Sequence, residues 1–190
     1  MAARKKIIIF DLDGTLYRLR GGSYARSDLK KYVLKNAAEF VAGQFGLFKK
    51  DARQLLNKIQ KKYGEEISLG LEKEYGISRY KYFNTVWDIP AGKVVREDKD
   101  LRPIMKKLSK KYRLVLVSDA PKVWIKNVRE ELNVEDLFKG SIFSGEGDTR
   151  KGFGNAYQLV LKKFKIKPQD CISVGDQEKT DIIPAKQLGM

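Results

Sequence analysis

The sequence is most informative at Ile7-Ile8-Ile9-Phe10-Asp11-Leu12-Asp13-Gly14-Thr15-Leu16-Tyr17. Its first four residues are apolar and mostly β-branched, which is typical of a buried strand in a parallel sheet. Asp11 and Asp13 follow at once, and burying such acids is costly without a cation or a chemical role. Gly14 permits a tight turn directly after them. An ordinary Asp-Gly turn is the simplest alternative, and the full stretch argues against it.

Three further apolar runs of strand length occur, at residues 114–117, 141–143 and 171–174. Apolar residues at helical spacing lie between them, with Pro121 placed to open one of the helices. Strands that alternate with helices predict right-handed crossovers. The expected fold class is therefore α/β, with a doubly wound parallel sheet.

The interval of residues 18–95 breaks this alternation, because it contains no convincing strand. Apolar and aromatic residues recur at helical spacing in segments 29–41, 55–63 and 82–87, and Ser27 is the expected N-cap of the first. Packing between these helices is the simplest explanation of the aromatic residues. We predict a Rossmann-like core of residues 1–17 and 96–190, with an all-helical insertion at 18–95.

Composition narrows the possible chemistry. Histidine is absent, which excludes mechanisms that depend on imidazole and most structural zinc sites. Cys171 is the only cysteine, so no internal disulfide can form. No apolar run approaches the length of a membrane span, and the run before Asp11 is too short for a signal peptide. We expect a cytoplasmic protein without a membrane partner.

The chain is strongly basic, with 39 lysines and arginines against 24 acids and a net charge of +15. One interpretation is a solvated surface of the kind that heat-tolerant proteins carry. The other is attraction to an anionic substrate or to nucleic acid. Acids are plentiful too, since charged residues make up 33% of the chain. We therefore favour the solvated surface and do not expect a nucleic-acid partner.

Polar residues end three of the four predicted strands, namely Asp11, Ser118 and Asp176. In an open parallel sheet the carboxyl ends of the strands carry the chemistry. Asp11 and Asp176 could supply two carboxylates to Mg²⁺, which prefers hard oxygen ligands. Asp181 opens the next predicted helix, where it could be an N-cap or first-turn acid, a metal ligand through water, or both. A calcium loop is excluded, because its alternating ligands and closing glutamate are missing.

Two further residues could hold a phosphate group. Ser118 precedes Pro121, and its hydroxyl could bind phosphate oxygens or cap the helix that Pro121 opens. Lys151 could steady phosphate charge beside Asp11, or it could be a solvated loop lysine. Arg150 is an adjacent alternative. The glycine-rich segment 145–152 lacks the spacing and the final Ser or Thr of a nucleotide-binding loop.

These motifs, in this order, resemble the haloacid dehalogenase superfamily of phosphohydrolases. The resemblance covers residues 7–17 and 101–190, and segment 10–17 is its most specific part. The helical insertion resembles the helical cap of that family. Segments 82–87 and 101–103 are similar to the pyrimidine 5'-nucleotidase-like branch, with phosphoglycolate phosphatases also close. Members usually continue past Leu188-Gly189-Met190 into another strand.

The resemblance implies roles for individual residues. Asp11 would be the nucleophile that forms an aspartyl-phosphate, and Asp13 would protonate the leaving alcohol and then activate water. Ser118 and Lys151 would bind the transferring phosphoryl group. Because dehalogenase members lack an acid at the position of Asp13, dehalogenation is not expected.

A magnesium ion is also implied. Asp11, the backbone carbonyl of Asp13, and Asp176 would hold it, and Asp181 would stand in or near its ligand shell. The implied function is hydrolysis of a small phosphorylated metabolite, with a nucleoside monophosphate as first expectation and sugar phosphates or phosphoglycolate next. The alternatives are a phosphomutase or phosphotransferase of the same superfamily, and a basic nucleic-acid-binding protein on an idle scaffold.

Overall fold

The computed structural model describes residues 5–21, 23–96, 98–146, 149–151 and 155–190. At its centre lie four parallel strands in the order β3-β2-β1-β4. They are β1 (Ile7–Phe10), β2 (Arg113–Ser118), β3 (Ile142–Ser144) and β4 (Cys171–Val174). The predicted strand bounds are correct to within one residue.

Helices cover both faces of this sheet, because strand side chains alternate between the faces. Helices α5 (Leu101–Lys111) and α6 (Lys122–Glu131) cover one face, while α7 (Asn155–Phe164) and α8 (Ile183–Gln187) cover the other. The first face buries Ile8, Phe10, Leu114 and Leu116 with Met105, Trp124 and Val128. The second buries Ile7, Ile9, Val115 and Val117 with Ala156, Val160 and Ala185. The doubly wound α/β fold is confirmed.

Among the described residues, four α-helices and two short 3-10 helices lie between β1 and α5. The α-helices are α1 (Asp28–Phe45), α2 (Lys49–Tyr63), α3 (Ile67–Tyr75) and α4 (Arg79–Val86), and we call them the cap helices. The Ser27 hydroxyl accepts a hydrogen bond from the Lys30 amide at 3.2 Å, so the predicted N-cap of α1 is confirmed.

The sequence did not predict α3, and Gly70 explains why. Glycine weakens the helix signal in the middle of this short segment. In the structure a Cβ at Gly70 would collide with the side chains of Ile59 and Tyr63 on α2. The glycine therefore permits a close approach between α3 and α2. The packing gained by this approach stabilises α3 only in the folded protein, so the local sequence does not show it.

The cap helices share one hydrophobic cluster with the first face of the sheet. Leu12 and Leu29, both fully buried, belong to it together with Val86 and Trp124. The division of the chain at residues 18 and 95 stays a prediction. Within the described part of the chain, no helix has both the length and the apolar character that crossing a membrane requires.

Candidate active site

The carboxyl ends of β1 and β4 place two acids side by side. Phe10 pairs with Val174 in the parallel register, and the Asp11 amide donates to the Val174 carbonyl at 2.9 Å. Asp11 therefore leaves β1 next to the point where the chain turns after β4 toward Asp176. This is the edge of the sheet that the sequence predicted to carry the chemistry.

A buried lysine joins two acids at this edge. Lys151 Nζ lies 2.5 Å from Asp11 Oδ1 and 2.6 Å from Asp181 Oδ1. Lys151 is 2% exposed, Asp11 5% and Asp181 0%, so water screens none of the three appreciably. Buried charges persist when they are paired and hydrogen-bonded. We call these three residues the charged triad.

The backbone around Lys151 is anchored to the ends of other strands. Its amide donates to Asp119 Oδ1 at 2.9 Å, just after β2. The Thr149 hydroxyl donates to the Ser144 carbonyl at 2.7 Å, at the end of β3. Lys151 rather than the neighbouring Arg150 therefore contacts Asp11.

Burial sets the protonation of this site. It raises the pKa of Asp11 from 3.8 to about 7, against the opposing charge of Lys151. Burial also works to lower the pKa of Lys151, but the charges of Asp11 and Asp181 prevail and hold it above its ordinary value. The other Asp11 oxygen, Oδ2, accepts from the Thr15 hydroxyl at 3.1 Å.

Three carboxylates converge in a way that suits a hard cation. Oxygens of Asp11, Asp176 and Asp181 lie within 4.8 Å of one another. Burial raises the pKa of Asp176, with the charge of Asp181 adding to the effect. Mg²⁺ prefers such oxygen donors, and it would offset their mutual repulsion. The donor set fits the predicted magnesium ion.

Two glycines make this convergence possible. Gly14 has a φ of +98°, and a Cβ there would collide with the Asp176 carboxylate. A Cβ at Gly175 would collide with the Asp181 carboxylate. Asp181 itself lies in a π-helical turn (Glu178–Ile182), where its Oδ2 accepts from the Gln177 amide at 2.9 Å.

The Asp13 side chain lies outside the group of converging acids. Its Oδ1 accepts hydrogen bonds from Trp124 Nε1 at 2.8 Å and from the Tyr17 hydroxyl. Burial raises the pKa of Asp13, while these two donors act to lower it. The predicted metal contact of Asp13 involves its backbone carbonyl, and that contact stays a prediction.

Ser118 ends β2 and is buried. Its Oγ accepts from the Ala120 amide at 3.1 Å, inside the turn that precedes α6. Pro121 is the N-cap residue of α6, so Ser118 does not cap that helix. The hydroxyl keeps its own proton, which it can donate to a phosphate oxygen.

Sequence reasoning missed four contributors to the site. Thr15 and Tyr17 lie inside segment 7–17, each four residues after the acid that it contacts. Asp119 stands next to Ser118. Trp124 lies 111 residues from Asp13, and the sequence indicated only that it packs on a helix face. No local signal could have linked it to Asp13.

A cavity of about 610 Å³ opens between the cap helices and the turns that follow β2 and β3. Among the described residues its lining includes Asp119, next to Ser118, and no member of the charged triad. We call this cavity the cleft. Arg150 lines it and pairs with Glu66, the residue just before α3. Tyr24, Arg53 and Trp87 of the cap also line it.

The sequence was compared with models of known protein families. Residues 5–189 match the family of haloacid dehalogenase-like hydrolases. This protein is a member of the haloacid dehalogenase-like hydrolase family. The prediction of a hydrolase of this family is thereby confirmed.

Individual relatives of this family member come from archaea. A protein of Pyrococcus furiosus named glyceraldehyde 3-phosphate phosphatase is 30% identical over 203 residues, which cover 98% of this chain and 79% of the relative. A protein of the same name from Pyrococcus abyssi is 28% identical, and the alignment covers 97% of this chain and 79% of that relative. A crystal structure of a HAD phosphatase from Thermococcus onnurineus superposes with a TM-score of 0.64 at 18% identity, covering 97% of this chain and 83% of that one. The last comparison supports the fold.

Proposed function

We propose that this chain is a magnesium-dependent phosphomonoesterase that hydrolyses a small phosphorylated metabolite through Asp11. One observation carries the proposal. Asp11 is a buried carboxylate paired with Lys151, at the strand end where two further acids converge. A carboxylate held beside a fixed cation, with oxygen donors for a metal close by, supports phosphoryl transfer to that carboxylate.

The chain's own residues can perform both halves of the reaction. An Asp11 oxygen attacks phosphorus, and the bond from phosphorus to the substrate oxygen breaks while Asp13 gives that oxygen a proton. Asp13 then takes a proton from water as the water attacks the aspartyl-phosphate. Phosphate leaves and Asp11 is regenerated. Lys151 keeps a positive charge beside Asp11, and Ser118 supplies a hydroxyl to a phosphate oxygen.

The proposed ligands of Mg²⁺ are Asp11, the Asp13 carbonyl and Asp176, with Asp181 adjacent. A bound magnesium ion would neutralise charge on the transferring phosphoryl group. Support comes from oxygens of Asp11, Asp176 and Asp181, which lie within 4.8 Å of one another. Asp181, which already accepts from Lys151 and Gln177, would act mainly by holding Lys151 in place.

Phosphorylated aldehydes and sugars are the first substrate class to consider. The archaeal relatives carry the name glyceraldehyde 3-phosphate phosphatase, and the alignment with the first spans nearly this whole chain. We propose that the cap, residues 18–95, closes the site from water and selects among such esters. Arg53 and Arg150 on the cleft would favour an anionic substrate.

A nucleoside monophosphate is the second candidate, and the aromatic lining of the cleft favours it. The cleft has a volume of about 610 Å³. Tyr24 and Trp87 line this volume and stack with their ring planes 7° apart. Such flat aromatic surfaces can support a base.

A substrate screen tests the proposal. We expect phosphate release in Mg²⁺ from D-glyceraldehyde 3-phosphate, sugar phosphates, phosphoglycolate or nucleoside monophosphates, with one class preferred. EDTA should stop the release, and added Mg²⁺ should restore it. Activity that persists in EDTA would contradict the assigned metal ligands.

Product analysis separates the rival functions. An isomerised sugar phosphate without free phosphate would indicate a mutase, and phosphate passed to an added alcohol would indicate a transferase. Salt-dependent binding of nucleic acid, together with no release of phosphate from any ester, would favour the binding protein that the +15 net charge allows.

A further inference from the structure

The side chain of Asp13 is fixed from two directions. Trp124 Nε1 donates to its Oδ1 at 2.8 Å, and the Tyr17 hydroxyl donates to the same oxygen. We propose that Trp124 and Tyr17 are positioning residues that hold Asp13 so that its other oxygen, Oδ2, exchanges the proton of the leaving group. This inference rests on the proposed function and assigns two residues to it.

The two donors come from separate parts of the fold. Trp124 lies on α6 and is fully buried in the cluster that covers the first face of the sheet. Tyr17 lies in the turn after β1, where the Gly14 amide donates to its carbonyl at 3.1 Å. Tyr17 is also buried. Neither ring can move without disturbing packing, so the donors hold the Asp13 carboxylate in one rotational setting.

The chemistry of a carboxylate makes this selection useful. Each oxygen accepts about two hydrogen bonds, so Trp124 and Tyr17 together fill the capacity of Oδ1. Oδ2 is then the oxygen left for a substrate. Proton transfer requires the acid within hydrogen-bond reach of the leaving oxygen, and a freely rotating carboxylate would spend part of its time out of reach.

A purely structural explanation exists as well, because buried indole and phenol groups usually find a partner. The two explanations differ in one measurable respect. If the donors act through Asp13, their removal slows the step in which the leaving oxygen takes a proton. If the two donors serve stability alone, their removal lowers kcat/KM by the same factor for every substrate.

Trp124→Phe and Tyr17→Phe remove the donors while keeping an aromatic ring. The substrates are glycerol phosphate, whose alkoxide needs a proton to leave, and para-nitrophenyl phosphate, whose phenolate leaves without one. We expect kcat/KM for glycerol phosphate to fall by about 10- to 100-fold, within the usual range of general acid catalysis. For the aryl ester the fall should be less than about threefold. The kcat/KM value reports the transfer of the phosphoryl group to Asp11. This step precedes the hydrolysis of the aspartyl-phosphate, which is the same for both esters.

Two controls sharpen the test. Asp13→Asn should show the same difference between the two esters, and adding Trp124→Phe to it should cause no further loss with glycerol phosphate. Tyr75 is an exposed ring on α3 that packs against Phe45. Tyr75→Phe should leave kcat/KM for both esters unchanged. Melting temperatures identify any variant that fails to fold, and Tyr17→Phe tests the claim with the loss of a single oxygen.

Equal losses for both esters would overturn the inference, as would a further loss when Trp124→Phe is added to Asp13→Asn. In either case the wild type still releases phosphate, so the proposed function survives. A wild type that hydrolyses neither ester in Mg²⁺ would overturn the proposed function, and the positioning role with it.

Discussion

Lys151 and Arg150 are neighbours in the chain, yet their side chains belong to two different regions. Lys151 enters the charged triad, where its side chain is 3% exposed and contacts two buried acids. Arg150 faces the cleft, where its side chain is 28% exposed and pairs with Glu66 of the cap. Removing a charge from a buried pair leaves its partner without compensation, whereas water compensates in a half-exposed pair. We therefore expect changes in the charged triad to abolish chemistry and changes at the cleft to adjust it.

The largest effect should come from Asp11→Asn. An amide is a poor nucleophile, so turnover of any phosphate ester should fall by at least about three orders of magnitude. Phosphate release from para-nitrophenyl phosphate measures this. Asp51→Asn makes the same change on the exposed side of α2 and should leave the rate unaltered. An Asp11→Asn protein with appreciable turnover would disprove the covalent route.

Replacing the cation of the triad should come next. In Lys151→Met, Asp11 loses the cation that holds its pKa down and becomes protonated at neutral pH, which makes it a poor nucleophile. We therefore expect kcat to fall by about 100- to 1,000-fold. The free energy of unfolding should fall by about 3–5 kcal/mol at neutral pH. Steady-state kinetics and urea denaturation measure the two effects.

Lys58→Met, on the exposed surface of α2, is the matched control and should change neither quantity. If Lys151→Met were as stable and as active as that control, the charged triad would have no energetic role. The expectation that the charged triad matters more than the cleft would then be wrong.

The apparent affinity of this site for Mg²⁺ should depend on pH. The pKa of Asp11 is about 7 in the folded chain and 3.8 ordinarily, so the metal-free fold holds an extra proton between these values. Without metal, the free energy of unfolding should therefore fall as pH rises from about 4 to about 7. Mg²⁺ competes with that proton, so its apparent affinity should weaken by up to about tenfold per pH unit below 7.

Calorimetry with and without Mg²⁺ at pH 5.5 and pH 8 measures this linkage. The rise in melting temperature caused by Mg²⁺ should be larger at pH 8, and Asp176→Asn should reduce it at both values. A rise that is the same at pH 5.5 and pH 8 would show that Asp11 does not exchange a proton for the metal.

The smallest effect should come from Glu66→Gln, which weakens the link between the cap and Arg150. Half-exposed ion pairs contribute up to about 1 kcal/mol, so we expect a change in KM of less than about fivefold with kcat nearly constant. Glu39→Gln breaks an ion pair with Lys49 within the cap surface and should leave KM unchanged. A loss as large as that of Lys151→Met would erase the distinction between the two regions.

Much of this site could be predicted from the sequence because its signals are local. An apolar run that ends at Asp11 predicts a buried strand, and parallel strands bring their carboxyl ends to one edge. Strand ends alone therefore place Asp11, Ser118 and Asp176 at the same edge of the sheet. Lys151 could be proposed but not distinguished from Arg150, because both are loop cations and only the fold of segments 149–151 and 144–146 orients them.

The α/β class, the acids that follow β1 and β4, and the family could all be inferred from the amino-acid sequence. These follow from periodicity and from residues that are close along the chain. Tertiary structure alone decided that Lys151 closes on Asp11, and that Trp124 reaches Asp13 across 111 positions. The physical reason is that burial and side-chain direction depend on which helix covers which face of the sheet, and that choice is made by packing of the whole chain.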